Sequence, residues 1–424
     1  MGVDAAEEVA VEAGSDASVE AGFDGPSPDA PPDAPTEAGG VPPVITSATS
    51  ATFTVGTAGS FVVTDTGMPA PALGETSESG ALPSGVTFTA ATGTLGGTPA
   101  PGTGGAYALT FTAHNGVGSD AVQSFTLTVQ EATEFPITTA GSRPDGIVAG
   151  PDGNVWFTEA AADNIARITP AGVITEFPIP TLSTGPSGIA AGPDMNLWFA
   201  EQGGNNIGRI TTAGVVTEFP VLTAGAAPTE IASGPDGNLW FTEIGAAKSA
   251  IGRITTAGVV TEFPTLASNA QPYAIAPGSD GNVWFTELNA SKVGKITPAG
   301  VITEYVVPTP NSQPQGMTNG PDGNLWFTEA NTNKVAMVTP AGVFTEYVVP
   351  TSGSVPLGIT TGPDGNLWFT EFTGDKVVKL TTAGVFTEFL VATAGSQPFA
   401  ITSGPDGNVW FAELNAGKVA HVTP

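Results

Sequence analysis

"GPDGNLWFTE" occupies residues 234–243, and the same ten letters return at 320–329 and at 362–371. Four near-copies complete the series. Each copy carries one tryptophan: Trp156, Trp198, Trp240, Trp284, Trp326, Trp368 and Trp410. These are all the tryptophans of the chain, and successive ones lie 42, 42, 44, 42, 42 and 42 residues apart. A period in this range, with several short strands per unit, marks a propeller rather than a helical array.

The fifth unit shows how one repeat is written. "QGMTNG" (315–320) is a short run and "PDGN" (321–324) a turn, in which Pro presets φ, Asp bonds the backbone and Gly takes a positive φ. "LWFTE" (325–329), "KVAMVT" (334–339) and "VFTEYVV" (343–349) then alternate with polar loops. Four antiparallel strands in one unit make a propeller blade. A lone blade leaves both faces bare, so blades must stack, with the repeated Trp and Phe expected between them. The copies recur because like blades must present like faces to one another.

The ends of the array are complementary. The last unit stops at "HVTP" (421–424), one strand short, and "ATEFPIT" (132–138) precedes the first complete set. Thr133 to Ile137 is therefore expected to complete the seventh blade, which removes the open edges of a linear array. "FTLTVQ" (125–130) runs almost directly into that strand, so little freedom is expected between the propeller and what precedes it.

The whole chain reads as all-β, in three parts. Only 12 % of its 424 residues are charged, while Gly numbers 56 and Pro 38, a turn-rich composition. Residues 1–40 hold ten acids, no Lys or Arg, and one aromatic, Phe23. Such a segment cannot bury enough apolar surface to offset its ordering entropy, and reads as a disordered acidic stalk or solubilising tail. Residues 41–130 alternate Thr, Val and Phe in short runs broken by Gly and Pro turns, the pattern of a β-sandwich. Residues 131–424 are the propeller. A net charge of −29 repels phosphate backbones and argues against nucleic acid as partner. The absence of Cys excludes disulfides, thiolate metal sites and Cys nucleophiles. No apolar run is long enough for a transmembrane segment, and no signal peptide is visible. Stalk and sandwich together still suggest a bacterial cell-surface or extracellular protein, lipid-anchored in a longer precursor, acting as a monomer.

Two resemblances sharpen this reading. "LPSGVTF" (82–88), "TGTLGGTP" (92–99) and "FTAHNGVGS" (111–119) resemble the immunoglobulin-like family found in bacterial surface proteins, which implies a spacer or adhesion module. "GPDGNLWFTE…NKVAMVTPAGVFTEYVVPT" resembles the virginiamycin B lyase family of seven-bladed propellers, and the likeness covers all seven units. That family implies opening of the ester link of cyclic streptogramin B antibiotics by elimination, with a histidine base and a magnesium ion. Its catalytic histidines follow the Pro of the innermost strand in a Pro-His-x-Ile pattern. Here the residues after that Pro are Asp145, Ser187, Thr229, Tyr273, Gln315, Leu357 and Phe399, and none is His. The propeller's one His, His421, stands in the third strand, equivalent to Arg167, Arg209, Arg253, Lys295, Met337 and Lys379, a row that reads as a solvated stripe. His114 reads as a surface residue of the sandwich.

Three carboxylates recur in every unit. The turn Asp forms the turn. The fourth-strand Glu, Glu134 to Glu388, reads as a solvated face or a partner for neighbouring cations. The Glu that ends the second strand, Glu159, Glu201, Glu243, Glu287, Glu329, Glu371 or Glu413, shares a rim with the start of the first strand. Such a ring accepts backbone hydrogen bonds or, around Glu287 and Glu329, is a candidate site for Mg²⁺ or Ca²⁺. Function is expected where units differ. Asp145, Ser187, Thr229, Glu230, Tyr273, Gln315 and Phe399 mix acid, hydroxyl, amide and aromatic groups on one rim, which suits a small molecule, glycan or peptide. The longer third loop, "IGAAKSA" (244–250), adds to that variable face. Two functions remain open: a binding or scaffold propeller, and a metal-dependent C–O lyase using Tyr273 or a rim Glu in place of His.

Overall fold

A computed structural model of the protein describes residues 39–77, 81–100, 103–245, 249–267 and 269–424. The expected stalk lies outside the described residues, apart from its last two positions, as does the centre of the long third loop. Strands Ser50–Thr54, Ala121–Gln130, Gly105–His114 and Ala72–Ser77 form one sheet, in that order. Gly59–Val62, Thr94–Gly97 and Val86–Thr89 form a second, and Val41–Ile45 pairs with Asp65–Met68 as a third. Alternation along these strands turns Phe53, Leu95, Phe111, Phe125 and Leu127 inward, where they pack as one core.

Among the described residues, the repeat region forms seven four-stranded antiparallel sheets. The first blade runs Pro144–Ala149, Val155–Glu159, Asn164–Ile168 and Ile174–Pro178 from the axis outward. The other inner strands are Pro186–Ala191, Pro228–Ser233, Pro272–Pro277, Pro314–Asn319, Pro356–Thr361 and Pro398–Ser403. Neighbouring inner strands lie side by side around a closed ring, the first against the seventh included. Closure follows the expected route. Thr133–Pro136 pairs with Lys418–Val422, Thr133 opposite His421, and supplies the seventh blade's outer strand.

The repeated decapeptide accounts for the stacking. In blade three the Trp240 indole N–H donates to Asp236 Oδ1 at 2.9 Å, and the Asn238 side-chain amide donates to Asp236 Oδ2 at 2.8 Å. The turn Asp therefore closes the turn and also satisfies a buried donor that would otherwise be costly. Gly237 has φ +75°, the left-handed region the turn requires. Leu239, Trp240 and Phe241 are all fully buried. Trp240 stacks on Phe263 of its own blade at 5.6 Å and packs against Ile275, Val283 and Phe285 of the next. Truncating such a ring costs ~3–5 kcal/mol.

The expected solvated stripe on the third strand is not found. Arg253 lies over Trp240 at 5.5 Å and donates from Nη1 to the Pro298 carbonyl of the next blade at 2.9 Å. Arg167, Arg209, Lys295 and Lys379 repeat the cation–π contact, which desolvation strengthens. In blade seven His421 takes this place, 4.6 Å from Trp410 and 5.6 Å from Phe135, and burial pushes its pKa down. The fourth-strand Glu is a clasp rather than a solvated face. Glu388 accepts from Lys376 Nζ at 2.5 Å and from Thr351 Oγ1, on the loop entering its blade, at 2.7 Å. Glu134 does the same with Lys418 and Thr393 across the closing seam.

One copy departs from the turn's glycine. "GPDMN" places Met195 where the others have Gly, with φ +62° and an exposed side chain. A left-handed non-glycine residue costs roughly 1–2 kcal/mol. Met195→Gly is therefore expected to stabilise the propeller by about 1 kcal/mol, read as a higher guanidinium midpoint. A lower midpoint would mean the methionine side chain contributes more than its backbone costs.

Candidate functional site

Each inner strand begins Pro-x-x-Ile, with Met replacing Ile in blade five. In blade three Pro228 faces Glu243, and the next register pair is Ile231 with Phe241. Three steps on the inner strand answer two on its partner, so a β-bulge sits here, and the same shift occurs in all seven blades. A bulge leaves an amide outside the ladder and re-aims its side chains.

The second-strand Thr serves that amide. Thr242 Oγ1 accepts from the Glu230 N–H at 3.1 Å and donates to the Tyr273 carbonyl of blade four at 2.8 Å. Thr158, Thr286 and Thr370 make the same two bonds, each joining one bulge to the next. Blades two and seven have Ala200 and Ala412 instead. In blade two the Ser187 hydroxyl compensates, donating to the Thr229 carbonyl at 2.6 Å.

These bulges surround a cavity of about 160 Å³ at one mouth of the central channel. Glu230, Tyr273, Gln315, Leu357 and Phe399 line it, one from each of blades three to seven. Below them the Pro-x-x-Ile side chains form an aliphatic floor, Ile147, Ile189, Ile275, Met317, Ile359 and Ile401. The volume falls short of the ~300–1,000 Å³ usual for drug-sized ligands. Of the residues expected to bind, the structure brings Glu230, Tyr273, Gln315 and Phe399 into the cavity. Ser187 and Thr229 are excluded, at 6 % and 4 % exposed, with their hydroxyls spent on backbone carbonyls. Asp145 stands beside the cavity on blade one.

Charge in this mouth is uncompensated. Burial, then the charge on Asp145, pushes Glu230 up to about 8. Burial raises Asp145 to about 6 against the opposing pull of Arg143. Tyr273 is raised well above its ordinary value, by burial first and then by both carboxylates.

The second-strand Glu ring does not lie open on the rim. All seven side chains are fully buried. Glu159 and Glu201 accept from Asn164 and Asn206, and Glu329 from Thr332 at 2.7 Å. Burial, with the nearby outer-strand Glu in several blades, raises these groups to between about 7 and about 8. Among the described residues no three His, Cys, Asp or Glu side chains gather as a metal site. Glu287 and Glu329, the candidate metal ligands, thus do not fit the magnesium ion the resemblance implies. The two described histidines lie elsewhere, His421 between Trp410 and Phe135, and His114 exposed beside Asp120.

Comparison with known proteins adds to this picture. The model of the Virginiamycin B lyase family matches residues 103–318 and 246–424, and the model described as "Putative Ig domain" matches residues 42–130. A streptogramin B lyase structure is 34 % identical and similar at a TM-score of 0.66, covering 69 % of this chain and 97 % of its own. A virginiamycin B lyase from Staphylococcus aureus is 36 % identical, TM-score 0.66, covering 70 % and 99 %. A catalytically inactive His-to-Ala form of that enzyme, with quinupristin, is 35 % identical over the same shares. The comparison with curated proteins found no match.

Two outcomes are expected of the site's framework. Thr286→Val strands the Ala274 amide and the Gln315 carbonyl, and is expected to cost about 1–3 kcal/mol in chemical denaturation. The buried Glu ring sets a pH dependence. A carboxyl whose folded pKa is raised stabilises fully below its unfolded value, about 4.5, and loses that contribution as pH rises through the folded value. The thermal midpoint is therefore expected to fall between about pH 5 and about pH 8. The turn Asp groups and Glu134, Glu346 and Glu388 have lowered values, so their contribution is lost below this window. Glu413→Gln is expected to raise the midpoint at pH 8 and flatten the slope. An unchanged slope would count against a proton-holding ring.

Proposed function

The chain belongs to the virginiamycin B lyase family, and from that premise we propose that its propeller is a binding module rather than a streptogramin lyase. One observation carries this reading: the cavity at the channel mouth is lined by Glu230, Tyr273, Gln315 and Phe399, and no position after an inner-strand Pro is His. The related enzyme is inactive when a histidine is replaced by alanine. A scaffold that keeps the blades while exchanging the reacting groups retains a pocket and loses the base, since function follows the site and not the fold. The ligand class is a small molecule, or a terminal sugar or peptide group small enough for the cavity. The immunoglobulin-like domain and the acidic leading segment support a place at the bacterial surface, where the domain acts as a spacer.

A second reading draws on Glu230 itself. A carboxyl in a partly apolar pocket with a raised pKa can exchange a proton with a substrate, so a C–O lyase with altered catalytic residues is its consequence.

Incubation of the full chain with quinupristin, followed by mass spectrometry, separates the two. The binding reading expects no linear product above the protein-free control, and saturable binding of a member of a glycan, peptide and metabolite panel. Ring opening that is lost in Glu230→Gln would overturn it in favour of the lyase.

A further inference from the structure

Glu230 stands where the fold asks for a small residue. The equivalent positions are Gly146, Gly188, Ala274, Gly316, Gly358 and Ala400. Its carboxylate lies across the inner strand of blade two, with Oε2 2.5 Å from where a Cβ on Gly188 would be. The glycine thus leaves the space that the carboxylate fills. Nothing in the stacking of blades needs an acid here, because Ala fills the place in blades four and seven.

Resting on the binding reading, we propose that the channel mouth takes the ammonium group of a small organic cation, held by Glu230 and faced by the rings of Tyr273 and Phe399. Among the described residues, no Lys or Arg lines the cavity. The charged or titratable groups facing Glu230 are Asp145 from the inner strand of blade one and Tyr273 from that of blade four. Arg143 is exposed and acts on Asp145. A carboxylate so enclosed is costly unless protonated or paired, and a cationic guest supplies the pair. Aromatic faces attract the same guest, most strongly when it is desolvated. The aliphatic floor then receives a short alkyl chain, the Gln315 amide offers one orienting hydrogen bond, and about 160 Å³ limits the guest to a few heavy atoms. An anion is repelled by both carboxyls. A divalent metal finds only two of the six or more oxygens it prefers.

Calorimetric titration of the full chain with n-butylammonium, n-butanol and butyrate tests this, in two buffers of different ionisation heat. Butylammonium is expected to bind one to one, butanol at least tenfold more weakly, and butyrate not at all. Because the guest displaces a proton from Glu230, the heat should differ between buffers, and affinity should rise between about pH 6 and about pH 8. Glu230→Gln is expected to weaken binding at least tenfold and to abolish the proton release. Glu230→Ala should do the same with the fold intact, since Ala274 and Ala400 occupy that place natively. Phe399→Leu should weaken binding several-fold. Equal binding of butanol, unaltered binding by both Glu230 variants, or no binding of butylammonium would overturn the inference. Where a neutral glycan or peptide still saturates the cavity, only the cation is lost. Where quinupristin is turned over instead, the binding reading itself fails.

Discussion

The propeller depends on the indole of each second-strand tryptophan, shut between its own blade's outer aromatic ring and the apolar core of the next blade. Each such ring carries one buried N–H that must be satisfied, and the turn Asp satisfies it. Each presents a face that attracts a cation, and Arg or Lys occupies it in five of the seven blades. The outer aromatic needs room, and a turn glycine provides it: at Gly258, φ +87°, a Cβ would stand 2.3 Å from the Phe219 ring of the preceding blade. The turn Asp and the Trp of every repeat, and the Arg or Lys of five of them, are thus consequences of one packing arrangement repeated around the ring.

Closure has a second consequence at the axis. Seven inner strands converge and each buckles in a bulge; in four blades the second-strand Thr accepts from the free amide and donates to the next blade's carbonyl. The relay ties each such bulge to the next around the channel mouth. It is also why the mouth tolerates variation. Backbone bonds fix the geometry, so the side chains at the two bulged positions are free to differ. The blades therefore carry residues as different as Tyr273, Gln315, Leu357 and Phe399 at one position of the repeat without altering their strands. The buried Glu ring just outside the bulges belongs to the framework, enclosed between strands.

Much of this was legible in the sequence. The Trp period, the turn signals and the complementary ends give the blades, their strand order and the closing strand. The variable positions after the inner-strand Pro give four residues that do line the cavity. Three readings of charged groups were incomplete because burial is not written locally. Arg253 and its equivalents were assigned to water, Glu388 and its equivalents to water or a neighbouring cation, of which the cation is found, and Glu287 and Glu329 to backbone hydrogen bonds or a metal on an open rim. The groups that bury them, the Pro298 carbonyl beside Arg253 and Thr351 beside Glu388, come from loops distant in sequence. Ser187 and Thr229 failed for a related reason: nothing local announces that Ala200 lacks the relay hydroxyl which Ser187 replaces.

The sequence by itself determined what is periodic. Alternation, turn chemistry and spacing are local properties, repeated until chance is excluded, and they specify strands, blades and a closed ring. Tertiary structure alone decided which side of each strand meets water. Burial depends on what the neighbouring blade presents, and a one-residue bulge redirects a side chain without changing a letter. That is why Glu230, one acid in a series of glycines and alanines, reads in sequence only as one of several variable rim positions. In the folded ring it stands as an uncompensated carboxyl in the channel mouth.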